Sequence, residues 1–205
     1  MARWTSKEMV LKIHSTNEAI MFLEALQKQI KIVDIFADYY PGRVTIRFEG
    51  AKEKLKDALE ITKRIHQIVN GMLYPDDEGF YNYDIEFLSK VTGKTFPIKP
   101  LLQILDYKGY ESQRKEGVFF SKIDYNSLLE LITLLDKTMT EIPYEVSTSS
   151  LRDVMIVIAI AKNSTIDQAI ASAKKAKIVE EDELKRLKLI VEPIQALEKC
   201  IKITK

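Results

Sequence analysis

"IFADYYPGRVTIRFEG", residues Ile35 to Gly50, decides the fold. Two runs rich in aromatic and β-branched residues flank Pro41 and Gly42, the composition of a tight hairpin turn. With that turn, Tyr39 lies opposite Val44, Ala37 opposite Ile46 and Ile35 opposite Phe48. Val33, Ile35, Ala37, Tyr39, Val44, Ile46 and Phe48 therefore share one face, and Phe36, Asp38, Tyr40, Arg43, Thr45 and Arg47 share the other. A loop of two or of four residues gives the same parity.

The flanking sequence says which face is covered. "EMVLKI" (Glu8 to Ile13) sets Met9, Leu11 and Ile13 against Val10 and Lys12, the period of a strand. In "STNEAIMFLEALQKQI", Ser15 and Glu18 have capping-box spacing, and Ala19, Leu23, Leu26 and Ile30 fall on one helical face. After the hairpin, "AKEKLKDALEITKRIHQIVN" turns Leu55, Leu59, Thr62, Ile65 and Val69 inward and Lys52, Lys56 and Lys63 outward. The order β-α-β-β-α predicts an antiparallel sheet with both helices on one side.

Aromatic rings beside guanidinium groups on an open sheet are what unpaired bases stack on and phosphates bind to. Phe36, Tyr40, Arg43 and Arg47, aided by Lys52, Lys56 and Lys63, are thus the candidate residues for RNA or ribonucleoprotein association. The same groups also pair across the strands by cation–π contact, and the same face suits a homodimer or another protein partner. "YPGR" is not the GXXG loop of a KH domain.

Two further segments follow the first, giving expected boundaries of 1–72, 73–144 and 145–205. "GMLYPDDEGFYNY" (Gly71 to Tyr83) reads as a linker, and its adjacent acids Asp76, Asp77 and Glu78 lack the spacing of a calcium loop. Beyond it, "DIEFLSKVTG" and "LLQILDYKG" read as helices stopped by Gly93 and Gly109. "YESQRKEGVFFSKI" reads as a hairpin turning at Glu116 and Gly117. Asp124 or Asn126 then caps the long helix of "SLLELITLLDKTMTEI", completing an α-β-β-α module. Arg114, Lys115 and Lys122 beside Phe119 and Phe120 are a weaker echo of the first hairpin.

In the last segment Ser150 with Asp153, and Ser164 with Asp167, have the S-x-x-D spacing of a helix start. Helices are expected over 151–162, 165–177 and 181–204, the last kinked or restarted at Pro193. A helix-turn-helix reading is opposed by "EEDE" (Glu180 to Glu183), because acid at a groove-entering end repels phosphate. Alternatively "KRLKLIV" is a strand, making a winged variant. The fold class is α+β.

Composition limits function. The 205 residues are 46% hydrophobic and 30% charged, with a formal charge of +1. Residues 1–75 hold 12 Lys+Arg against 9 Asp+Glu, 76–143 hold 8 against 12, and 144–205 hold 11 against 9. A dedicated duplex binder is usually far more basic. The lone Cys200 excludes an internal disulfide, and the longest aliphatic run, "VMIVIAIA" (Val154 to Ala161), is too short to cross a bilayer. A cytoplasmic location without membrane contact is expected. Abundant Ile and Lys with few Asn, Gln and Cys is the thermophilic direction.

No phosphate-cradling glycine loop and no Cys/His ligand spacing is present, so neither cofactor nor metal is expected. His14 and His66 read as structural, and no pair of acids is singled out by spacing. A non-catalytic binding protein is expected.

"VTIRFEGAKEKLKDALEITKRI", "LLQILDYKGYESQRKEGVFFSKI" and "STIDQAIASAKKAKIV" resemble an archaeal family known only as a domain of unknown function. The resemblance spans nearly the whole chain and implies an archaeal cytoplasmic protein without an assigned activity. In order of elements the first segment also resembles the small subunit of the archaeal tRNA-modifying KEOPS complex, which implies a dimerising or RNA-linked part.

Overall fold

A computed structural model describes residues 4–201. They fall into two compact units that divide after Phe87.

The first unit contains β1 (Trp4–Lys12), α1 (Thr16–Gln29), β2 (Asp34–Tyr40), β3 (Arg43–Ala51), α2 (Lys52–Leu73) and β4 (Tyr81–Asp84). The β-α-β-β-α order expected from the sequence is present, with β3 in the middle of an antiparallel sheet ordered β1-β3-β2. The register pairs Ile35 with Phe48, Ala37 with Ile46 and Tyr39 with Val44, and Gly42 takes the positive φ of 87° that the two-residue turn demands. Val44, Ile46 and Phe48 are fully buried under the helices with Phe22 and Leu26 of α1 and Leu55, Ile65 and Val69 of α2. On α1 the deepest residues are Ala19, Phe22, Ala25 and Leu26, a stripe slightly rotated from the expected one, with Leu23 half-buried.

The expected linker at Gly71 to Tyr83 is corrected. α2 runs on through Gly71, where an added Cβ would stand 3.1 Å from Asn82 Cβ, so the glycine lets β4 lie close against the helix. Only the bend between them is loop. There Asp76 Oδ1 accepts hydrogen bonds from the backbone of Glu78 (3.0 Å) and Phe80 (2.8 Å), as an Asx turn does.

α3 (Ile85–Thr92) spans the division. The second unit continues with α4 (Ile98–Tyr107), β5 (Ser112–Lys115), β6 (Val118–Ser121), α5 (Tyr125–Thr140), α6 (Ser149–Ala161), α7 (Ile166–Lys175), β7 (Val179–Glu181), β8 (Leu187–Leu189) and α8 (Pro193–Cys200). Glu116 (φ 48°) and Gly117 (φ 82°) turn the β5–β6 hairpin, as expected. The aliphatic run of Val154 to Ile160 is buried on every side of α6, the helix around which this unit packs.

Three details of the last segment differ from expectation. Thr148, not Ser150, caps α6, accepting from Leu151 N–H. Thr165, not Ser164, caps α7, and Gln168 completes a reciprocal capping box while Ser164 donates to the Ala159 carbonyl. The helix expected over 181–204 is instead the β7–β8 hairpin followed by α8, which begins at Pro193; Thr204 lies outside the described residues. Asp182 explains the break. Its carboxylate gathers the backbone of Leu184 and Arg186 at 2.9 Å each, closing a turn where a helix would need those groups for itself. The strand alternative for "KRLKLIV" therefore holds, and α6 and α7 meet at 107° before this hairpin. Among the described residues no single helix is long and apolar enough to cross a membrane.

Phe48→Ala is expected to cost about 3–5 kcal/mol of unfolding free energy, read from urea midpoints, because it removes a fully buried ring from between the sheet and the helices. Asp124 caps α5 with hydrogen bonds from the Ser127 hydroxyl (2.6 Å) and the Ser127 and Asn126 amides, which hold its carboxyl below the usual range. A carboxylate so depressed stabilises the fold above that range and ceases to as the pH falls through it. Asp124→Ala should therefore cost about 1 kcal/mol near neutrality, and the difference from wild type should shrink in acid.

Candidate functional site

The candidate face is built by β3 and its two neighbours. Side chains of β3 alternate, so the burial of Val44, Ile46 and Phe48 sends Arg43, Thr45, Arg47 and Glu49 to the side without helices. β2 adds Asp34, Phe36, Asp38 and Tyr40 to that side, and β1 adds Trp4, Ser6, Glu8, Val10 and Lys12, each placed by its partner in the register. Trp4 (68% exposed), Val10 (57%), Tyr40 (50%) and Phe36 (47%) give the face an apolar surface open to solvent.

The two expected ring–guanidinium pairs form. Arg43 Cζ lies 5.2 Å from the centre of the Tyr40 ring, and Arg47 Cζ lies 4.8 Å from that of Phe36. Arg47 is also held by Glu49, with Nε to Oε1 at 3.2 Å. The charges on this face are Lys12, Arg43 and Arg47 against Glu8, Asp34, Asp38 and Glu49, so carboxylates outnumber cations.

Lys52, Lys56 and Lys63 are not brought to it. All three are exposed on α2, whose other face packs beneath the sheet, so Lys56 and Lys63 belong to the opposite layer from Phe36 and Tyr40. The sequence reading missed the contribution of β1. Its strand begins four residues before Glu8, in "WTSK", where no apolar alternation marks it, and its place beside β3 is a long-range fact.

The hairpin of the second unit is built differently. Phe119 is fully buried opposite Arg114, and Lys122 Nζ pairs with Glu111 at 2.9 Å. The tip of the β7–β8 hairpin bears exposed Glu183, Leu184 and Lys185, and Glu181 pairs with Lys174 of α7, so the hairpin carries mixed charge.

One buried polar cluster escaped the sequence reading. Glu18 is fully buried; its Oε2 accepts from His14 N–H (2.7 Å) and the Tyr74 hydroxyl (3.1 Å). The expected capping box is thus half formed, since Ser15 Oγ accepts from Glu18 N–H while the carboxylate reaches one residue past Ser15. Glu18 Oε1 has no hydrogen-bond partner among the described residues and stands 3.7 Å from His66 Nε2. That nitrogen lies 3.0 Å from the Lys12 carbonyl, which only accepts, so Nε2 carries the hydrogen. His14 packs edge-on to Tyr74 and His66 edge-on to Phe22. Burial first, and then the Glu18 carboxylate, push the Tyr74 phenol up against the opposing hydrogen bond with Ser15. The cluster joins the end of β1 and the start of α1 to the C-terminal part of α2, through His66 and the C-cap residue Tyr74. Burial likewise pushes up the Cys200 thiol at the end of α8. Among the described residues no three His, Cys, Asp or Glu side chains converge as metal ligands would.

These features define an α+β protein whose first unit is a helix-backed three-stranded antiparallel sheet with one open, aromatic face. The model of a family described as an uncharacterized protein conserved in archaea (DUF2067) matches residues 11–198, and the chain belongs to that family. No curated protein and no solved structure matches it.

Glu18→Ala is expected to lower unfolding free energy by about 1–3 kcal/mol, because the His14 N–H and the Tyr74 hydroxyl lose their charged acceptor; Tyr74→Phe should cost less. A double-mutant cycle on Phe36 and Arg47 should return a coupling of about 0.5–1 kcal/mol, measured by denaturant unfolding.

Proposed function

We propose that this is a binding protein whose open β1-β3-β2 face is a contact surface for another polypeptide. One observation carries the reading: Trp4, Val10, Phe36 and Tyr40 are exposed together on a sheet face where carboxylates outnumber cations. In the register these side chains are set among Glu8, Arg47, Asp38 and Arg43, and exposed aromatic and arginine side chains are the usual anchors of protein contacts. A phosphate backbone would meet Glu8, Asp34 and Asp38 there, and only three cations, one of them engaged by Glu49.

A second reading, association with single-stranded RNA, is favoured by the two ring–guanidinium pairs, each of which offers a stacking surface beside a phosphate ligand.

Native co-purification at low salt, with and without RNase, tests both. The wild type is to be compared with a folded variant carrying Phe36→Ala, Tyr40→Ala, Arg43→Ala and Arg47→Ala. A polypeptide that survives RNase and is lost from the variant is the expected result. RNA retained by the wild type, released by salt and lost from the variant would replace it with the second reading.

A further inference from the structure

β2 is the edge of its sheet, and the edge is bare. The turn at Pro41 and Gly42 closes on Tyr40 and Arg43, so the ladder alternates: Asp34, Phe36, Asp38 and Tyr40 bond to β3, while the amides and carbonyls of Ile35, Ala37 and Tyr39 point outward. Those outward groups have no partner among the described residues, and no proline or lysine on the strand blocks them. Beside the edge, on the helix side, lies a groove of about 360 Å³ between α1 and β2, with Leu23, Leu26, Ile30, Val33, Ile35 and Ala37 on its walls. The helix layer stops short of the strand here. Tyr39 ties back to α1 through its hydroxyl, 3.0 Å from Thr16 Oγ1, whereas Ala37 stays exposed.

The charges choose the occupant. On the open side β2 carries Asp34 and Asp38, neither in a salt bridge among the described residues, and Asp34 stands directly opposite Glu49, a like charge. A second copy pairing through β2 would bring two more aspartates and no lysine or arginine on that strand. A strand with basic residues at alternate positions would instead place them against Asp34 and Asp38, and its intervening apolar residues would fall into the groove. Lys31 and Asp34 both border the groove, so its charged rim is mixed, whereas Asp38 lies outside it.

We infer that the β2 edge accepts an extended segment of another protein, with alternating apolar and basic residues, as an added strand whose apolar side chains occupy the α1–β2 groove. This mode uses backbone hydrogen bonds for affinity and alternate side chains for selection. It goes beyond the reading of the open face and holds whichever partner that face takes.

The test uses the full chain and a blocked hexapeptide of alternating valine and lysine, with amide hydrogen exchange followed residue by residue. The expected result is slowing of about tenfold or more at Ile35, Ala37 and Tyr39 on addition of peptide. It should be lost with a valine–glutamate peptide, with a peptide N-methylated on its pairing edge, and in the Asp34→Asn, Asp38→Asn variant. The first two controls alter the probe alone, so misfolding cannot account for them. Equal protection by the glutamate peptide, no protection of these amides, or protection confined to the open face would overturn the inference. Protection that rises with protein concentration without peptide would also overturn it, assigning the edge to a second copy.

Discussion

Burial of Val44, Ile46 and Phe48 beneath the two helices is the constraint on which the first unit depends. Successive side chains of a strand face opposite ways, so fixing these three inward fixes Arg43, Thr45 and Arg47 outward with no further freedom. The neighbouring strands inherit their facing from β3 through the ladder. A slip of one residue would drive two guanidinium groups under α1 and α2 and turn a phenylalanine to water, and that penalty is what holds the register. The aromatic face and the core are two consequences of one alternation.

That alternation was legible in the sequence because a Pro-Gly turn anchors it. The hairpin register, both ring–guanidinium pairs and the order of the first five elements follow from Ile35 to Gly50 and its flanks. What escaped was short or held by distant groups. β4, β7 and β8 are three or four residues long, too brief for periodicity to register, and the break at Asp182 is made by a single carboxylate capturing backbone amides. The caps of α6 and α7 shifted by one or two residues because several hydroxyls compete at each helix start, and tertiary packing selects among them.

The site was legible only in half. Composition of the hairpin alone suggests a basic, aromatic surface. Adding β1 brings Glu8 beside Arg47 and sets Trp4 and Val10 on the same plane, and Glu49 closes on Arg47. The lysines of α2 were correctly read as outward from their own helix, but outward from a helix layer is away from the open sheet. Charge at a site is a sum over elements, and periodicity within one element says nothing about the others.

The order β1-β3-β2 also bears on how the unit is assembled. β2 and β3 are joined by two residues, while β1 must pair Trp4 with Ala51 across the whole of α1 and the hairpin. Closing the short loop is entropically cheap and fast, and the long one comes later. During synthesis β1 leaves the ribosome first yet has no template until β3 is complete. In that interval β3, the most deeply buried strand of the sheet, has one edge unpaired. The strand made first is therefore the last to join, and its arrival ends the period in which the nascent chain is open to mispairing.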